Sequence, residues 1–245
     1  MKKLIVIFIL LVNAGVTVSA RELNIVVHPW PPYVDQSAMK KGFSVEIFSM
    51  ALQRKGYQLS LKIEDWSRAL EGLEVGVYDI IGGIWKNSER QKLMLFSDPY
   101  WQNQITFIKK KKSPIKYDSF DDLNGYLIGV VRDYSYQDSF VKSKKLIKIP
   151  QNYMIQNLLK LAQDEIDLTL GDEQAIRYQL QQFMSSKIDD FEFLPKPLST
   201  RGLRISVSKQ HPQAKKIISD FNQALSEMKA DGSYEAIAAK YHFSK

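Results

Sequence analysis

Two hydrophobic periods take turns along this chain. Leu23-Asn24-Ile25-Val26-Val27 is a short apolar run of strand type, closed by His28-Pro29-Trp30-Pro31-Pro32-Tyr33. Proline has a fixed φ and no N–H, so three prolines in four positions exclude a ladder and make a stiff loop. That loop presents Trp30 and Tyr33. Phe43, Ile47, Met50, Ala51 and Arg54 then recur at helical spacing up to Gly56, which predicts a helix from Gly42 to about Lys55. Tyr57 to Ile63 alternates like a strand, and Glu64 to Leu70 opens the next helix with Asp65 as its cap. Asp79-Ile80-Ile81 predicts a short strand that breaks at Gly82-Gly83, where backbone without a Cβ can approach a ligand closely. The turn Lys86-Asn87-Ser88 leads into Glu89-Arg90-Gln91-Lys92. Phe96-Ser97-Asp98-Pro99-Tyr100 stops that segment, because proline disfavours helix in the residue before it.

Strands and helices continue to alternate in the second half. Gln104 to Lys109 predicts a strand and Lys110 to Pro114 an exposed connector; Leu127 to Val131 is again a strand. Asn157 to Ala162 is helical, and Ile166 to Leu170 is a buried strand ending at Gly171-Asp172, with a helix behind it to about Gln182. Phe191-Glu192-Phe193 is a short strand, Pro195 to Thr200 a return hinge, and Leu203 to Ser208 a further strand. Lys215 to Ala230 is amphipathic and stops at Asp231-Gly232. No internal sequence repeat or low-complexity segment is visible. Strands alternating with helices predict an α/β protein of two lobes with helix-covered sheets. Chain order assigns 21–108 and 201–245 to lobe one and 109–200 to lobe two. The two crossing segments would be a hinge, and the cleft between lobes the binding site.

Composition narrows the class. Met1 to Ala20 reads as a secretory signal: Lys2 and Lys3, an apolar run from Leu4 to Val12, and Val18-Ser19-Ala20 before Arg21. An uncleaved anchor would need about 20 apolar residues, and this run is interrupted at Asn13 and Gly15. There is no cysteine, so disulfides, thiolate metal sites, cysteine nucleophiles and a lipid-anchored cysteine are excluded. The formal charge is +7, with cations clustered at Lys109 to Lys112 and Lys142 to Lys148. Nucleic-acid binding needs a basic face with a reading module. Neither is visible, and the lysine runs read as solvated faces or loops.

The candidate chemistry gathers in the first half. One arginine, Arg90, sits just past a glycine-rich strand end, a suitable place for a guanidinium fork to meet a carboxylate; the bland alternative is a solvated residue paired with Glu89 or Asp98. All four tryptophans, Trp30, Trp66, Trp85 and Trp101, lie near strand ends or loops. Tryptophan offers broad, stiff contact area and an N–H donor, so the four read as a binding surface. Core packing is the alternative for Trp30 and for Trp85. His28, His211 and His242 are scattered and read as structural or exposed. No metal cluster or cofactor motif appears.

The residues Asp79-Ile80-Ile81, Glu89-Arg90 and Phe96-Ser97-Asp98-Pro99-Tyr100 stand in the order D-x-I-I, E-R, F-S-x-P-Y. Together with Gly42-Phe43-Ser44-Val45-Glu46-Ile47, Phe120 to Gly125 and Asp231 to Ile237, this order resembles the family 3 solute-binding proteins of bacterial ABC transporters, the polar amino-acid receptors. The resemblance implies the two-lobed periplasmic-binding-protein fold and a periplasmic monomer that closes on an amino acid or related small carboxylate. A membrane permease or sensor would be its partner. It also implies roles: Arg90 for a carboxylate, Asp172 for an ammonium, and Trp30 and Trp66 about the side chain. Ser135 is the best match to the hydroxyl residues of the second lobe, although Asp133 and Tyr134 replace the usual glycine and small residue. Where amino-acid receptors carry Ser or Thr for the ammonium, this chain has Gly83 and Trp85. The pocket is therefore expected to be smaller and more aromatic, suited to a ligand that stacks or presents a cation. The alternative on the same scaffold is an exported enzyme resembling cyclohexadienyl dehydratases, with Glu46, Asp79, Glu89, Asp98, Asp172 and Glu173 as candidate acids.

Overall fold

A computed structural model describes residues 22–37, 42–132 and 134–241. The expected leader, Asp133 and His242 lie outside the described residues. In chain order the first half contains β1 (Glu22–Val27), α1 (Phe43–Arg54), β2 (Gln58–Ile63), α2 (Trp66–Glu74), β3 (Ile80–Trp85), α3 (Ser88–Leu93), β4 (Met94–Phe96) and β5 (Trp101–Lys110). The second half contains β6 (Leu127–Val131), α4 (Asp138–Lys142), β7 (Ile147–Gln151), α5 (Met154–Ala162), β8 (Leu168–Asp172), α6 (Glu173–Phe183), β9 (Phe191–Phe193) and β10 (Ser199–Ser208). Helices α7 (Ala214–Ala230) and α8 (Ser233–Lys240) follow, and α7 packs on α1 and β10.

The two halves share one plan. In the first, β2-β1-β3 are parallel and β10 closes them antiparallel; in the second, β7-β6-β8 are parallel and β5 closes them antiparallel. The short strands match as well, β4 on β10 and β9 on β5. Strand β5 thus begins in the first half and ends in the second, while β10 does the reverse. They pair with each other at their starts, Trp101 to Ile105 against Ser199 to Leu203. The result is an α/β protein of two lobes joined where two long strands cross. The inner parallel strands β1 and β8 are buried on both faces, which is why Ile25-Val26-Val27 and Leu168-Thr169-Leu170 read as continuous runs rather than alternations, while the edge strands β2 and β7 stay half-exposed. Separate clusters fill the outer faces: Val26, Ala69, Leu73 and Ile81 under α2, and Ile108, Leu158, Leu161 and Ile176 between α5 and α6.

Four local expectations need correction. Strand β3 does not break at Gly82-Gly83 but continues to Trp85 through a bulge. Opposite β10, Ile84 faces Arg204 and Gly82 faces Ile205, so Gly83 is the extra residue, at φ +74°. Asp65 occupies the N-cap position of α2 without a side-chain bond to the helix, whereas Asn87 does cap α3, accepting from the Arg90 N–H. Strand β10 starts at Ser199, inside the stretch read as hinge, because the crossing itself is a ladder. The lysine run is only partly solvated: Lys109 is buried, donates to the Ser113 carbonyl at 2.6 Å and pairs with Glu192.

Candidate functional site

The loop after β1 enters a hollow between the lobes. His28, Trp30 and Val34 from that loop line it with Trp66 at the start of α2, Gly83 and Trp85 of β3, and Arg90 of α3; Tyr134 and Ser135 close it from the second lobe. Its open volume, about 50 Å³ as traced by the centre of a water-sized sphere, exceeds the roughly 10–15 Å³ that one water needs on that measure. Its size suits a small molecule rather than an extended chain.

Aromatic rings make most of the wall. Trp30 and Trp85 lie 5.2 Å apart at 80°, Trp85 and Tyr134 5.7 Å apart at 81°, and Trp30 and Tyr134 6.2 Å apart at 67°. Each pair meets edge to face, the arrangement the ring quadrupoles favour. The bulge at Gly83 sets this up, since one extra residue turns the end of β3 and aims Trp85 at the hollow. Trp85 is 6% exposed, and its indole N–H donates to Asn103 Oδ1 at 2.9 Å. Tyr134, which stands where a small residue was expected, fills that room with its ring. Burial pushes its phenol pKa well up, so it stays neutral.

Arg90 takes neither partner of its bland reading. Glu89 pairs with Lys92, and Asp98 is exposed elsewhere. The Arg90 guanidinium lies 4.9 Å from the Trp66 ring centre and donates to the Trp85 carbonyl at 2.8 Å. Trp66 therefore already has a cation over one face. Burial and the Arg201 guanidinium lower the Arg90 pKa to about 10, so it remains charged at neutral pH. Arg201 was not singled out from sequence. Its Nη2 donates to the Ser135 carbonyl at 2.8 Å, while Ser135 Oγ accepts from Asn87 at 2.9 Å. Ser135 is thus held from both sides, with its hydroxyl proton still available to donate. His28, expected to be structural or exposed, also lines the hollow; Nδ1 lies 3.3 Å from the Glu64 carbonyl and burial lowers its pKa, which favours the neutral ring.

Six of the seven site residues expected from sequence, Trp30, Trp66, Gly83, Trp85, Arg90 and Ser135, line one hollow. Asp172 does not. It ends β8, caps α6 and is 2% exposed. Its Oδ1 accepts from the Tyr33 hydroxyl at 2.7 Å and the Ala175 N–H at 2.9 Å, and its Oδ2 accepts from Asn103 at 2.8 Å. Burial raises its pKa to about 6. Trp101 also stands apart, half-buried and packed 5.4 Å from Phe43, so three of the four tryptophans line the hollow and the fourth does not. The other candidate acids are engaged elsewhere: Glu46 with Tyr241 and Lys240, Asp79 with Asn24 and His211, Glu173 with Arg177. Among the described residues, no carboxyl group lines the hollow and no His/Asp/Glu group could hold a metal. Among them, too, no helix is long and apolar enough to cross a membrane.

Known proteins match this chain over almost its whole length. It is 25% identical over 241 residues to an arginine-binding periplasmic protein of Mannheimia haemolytica, covering 95% of each. It is 26% identical to ABC transporter arginine-binding protein 1 of Escherichia coli K12, covering 98% of this chain and 99% of that one. Among solved structures, a periplasmic binding protein of an arginine transport system from Legionella pneumophila superposes with a TM-score of 0.75 at 23% identity, over 91% of this chain and 100% of that one. A histidine kinase sensor domain superposes with 0.77 at 19% identity, over 91% and 96%. The model of the bacterial extracellular solute-binding proteins, family 3, matches residues 23–245, and the chain belongs to that family.

Proposed function

We propose that this protein is a periplasmic receptor for a small carboxylate with an aromatic or apolar body, and that it does not read an ammonium group. The observation that supports this is the charge of the hollow. It holds one guanidinium, Arg90, with a second, Arg201, beside it and no carboxyl group in its lining. A cation this enclosed without a carboxylate partner calls for an anion from outside, and the guanidinium fork matches a carboxylate. The rings of Trp30, Trp85 and Tyr134 would take the apolar body. Arginine, bound by several relatives according to their names, would bring its own guanidinium to a site already cationic. Lobes at 21–108 with 201–245 and at 109–200 would move about the β5–β10 crossing. The leader would be removed on export, and the loaded monomer would serve a membrane permease or sensor.

The test is a thermal-shift screen followed by calorimetry with 3-phenylpropionate, L-phenylalanine and L-arginine. A ligand at a hundred times its Kd adds roughly 2.7 kcal/mol of stability. We expect 3-phenylpropionate to bind at least as well as L-phenylalanine, and L-arginine to produce no shift. Stabilisation by L-arginine alone would overturn the proposal. A dehydratase is less well supported, since general-acid chemistry needs a proton donor beside the leaving hydroxyl and the hollow lacks a carboxyl group. Incubation with prephenate or arogenate is expected to give no product.

A further inference from the structure

The carboxylate of Asp172 reaches two of the three wall tryptophans, Trp85 and Trp30, at one remove. Trp85 Nε1–H donates to Asn103 Oδ1, Asn103 Nδ2 donates to Asp172 Oδ2, and the Tyr33 hydroxyl donates to Asp172 Oδ1. The Tyr33 ring in turn packs 4.9 Å from Trp30. These groups come from different parts of the fold: Tyr33 from the loop after β1, Trp85 from β3, Asn103 from the crossing strand β5, and Asp172 from the junction of β8 and α6.

The direction of each bond in this chain is forced. An indole nitrogen only donates, so the oxygen of the Asn103 amide must face Trp85. The amide nitrogen must then face Asp172, which has to accept there. Oδ1 of Asp172 is already an acceptor for Tyr33 and for the Ala175 N–H. The ionised carboxylate satisfies all of these demands; an amide in its place does not. With its oxygen toward Tyr33 and Ala175, that amide would point its NH₂ at the NH₂ of Asn103. If Asn103 turned over to relieve the clash, its own NH₂ would meet the indole N–H instead. One buried donor is orphaned either way, which is costly.

We propose that Asp172 is a positioning residue for the ligand hollow, holding Trp85 through Asn103 and Trp30 through Tyr33, and is not an acceptor for a ligand ammonium. The proposal rests on the hollow being the ligand site, but the relay can be read without any ligand. The readout is the indole N–H of Trp85 in ¹⁵N-labelled protein, assigned by its loss in Trp85→Phe. In the wild type it should exchange slowly with solvent. Asp172→Asn should speed its exchange about tenfold, the worth of one hydrogen bond. The exchange of partners, Asn103→Asp with Asp172→Asn, keeps every donor opposite an acceptor. The new carboxylate on β5 accepts from Trp85 and from the new amide on β8, whose oxygen still accepts from Tyr33 and Ala175. It should restore protection.

Binding gives the second readout. Asp172→Asn should weaken 3-phenylpropionate and L-phenylalanine by the same factor, and the exchanged pair should recover both. If Asp172→Asn leaves the Trp85 indole protected, or weakens L-phenylalanine alone, Asp172 is not a relay and the proposal fails. It also fails if the exchanged pair remains as unprotected as the single variant. Should Asp172→Asn not fold, the exchanged pair and the double variant Trp85→Phe with Asp172→Asn decide. Without the indole the Asn103 amide can turn its oxygen to the new amide on β8 with no donor opposing its own NH₂, so both should fold, and failure of both would overturn the relay. A wild type that binds neither phenyl compound, yet shows the indole pattern above, would sink the ligand reading and leave the relay standing.

Discussion

Arg90 shows how much a single side chain can mean once its partners are known. Its charge is enclosed, one Nη1–H meets the Trp85 carbonyl, and the carboxylates nearest in sequence are occupied or turned away. Because it makes no ion pair among the described residues, its removal should leave the fold intact. Arg90→Ala is expected to weaken 3-phenylpropionate by about 2–5 kcal/mol, the usual cost of deleting one partner of a buried charge pair. Calorimetry on a variant with wild-type circular dichroism checks this, and unchanged affinity would remove Arg90 from the site.

At the scale of the element, β3 owes its role to two adjacent glycines that serve different ends. A Cβ on Gly82 would lie 2.7 Å from the buried Phe48 ring, so this position is closed by packing. A Cβ on Gly83 would meet nothing within 4 Å, but its φ of +74° is one that L side chains avoid. Gly83→Ala should therefore cost about 1–2 kcal/mol, the left-handed penalty alone. Gly82→Ala should cost more, since a core ring must shift to admit the methyl. Urea unfolding of the two variants measures the difference, and equal costs would mean that Phe48 yields freely. A bulge, not a break, occupies Gly82-Gly83. Gly-Gly signals an interruption in either case, and only pairing with β10 decides that the ladder resumes at Ile84.

Across the whole molecule, the lobes meet through polar contacts made by distant residues: Tyr33 with Asp172, Asn87 with Ser135, and Tyr178 with Asp35. Asp172 makes this junction sensitive to pH. Its folded pKa, about 6, lies above its ordinary value of 3.8 because burial disfavours the charge. The folded state therefore binds a proton more tightly than the unfolded one. The sign follows: this group's stabilising contribution is fully present below pH 4 and is lost as pH rises through about 6. Protonation gives up the Asn103 bond but relieves a buried charge, which is the larger effect. Urea unfolding from pH 7 to pH 4 should show this rise superimposed on the other groups, and Asp172→Asn should abolish it. A variant with the wild-type slope would show that Asp172 does not titrate in this window.

What the sequence determined by itself was everything set within a few residues. Period, proline and glycine placed most of the strands and helices. Tryptophans in loops, the glycine-rich strand end and the family order together picked out Trp30, Trp66, Gly83, Trp85, Arg90 and Ser135, six residues that the fold brings to one hollow. What it could not decide was which side chains meet across the chain. Arg201 and Asn103 were invisible as site residues because they become neighbours only where β5 and β10 cross. Asp172 was legible as an acid at a strand end, but not as one whose oxygens are already taken by Tyr33, Asn103 and Ala175. The shared plan of the two lobes shows in the sequence as alternating elements but not as repeated residues. Many apolar sequences satisfy the same burial, so a repeated topology does not require repeated residues. Hydrophobic period is a local property of the backbone, whereas charge compensation depends on which partners the closed fold supplies.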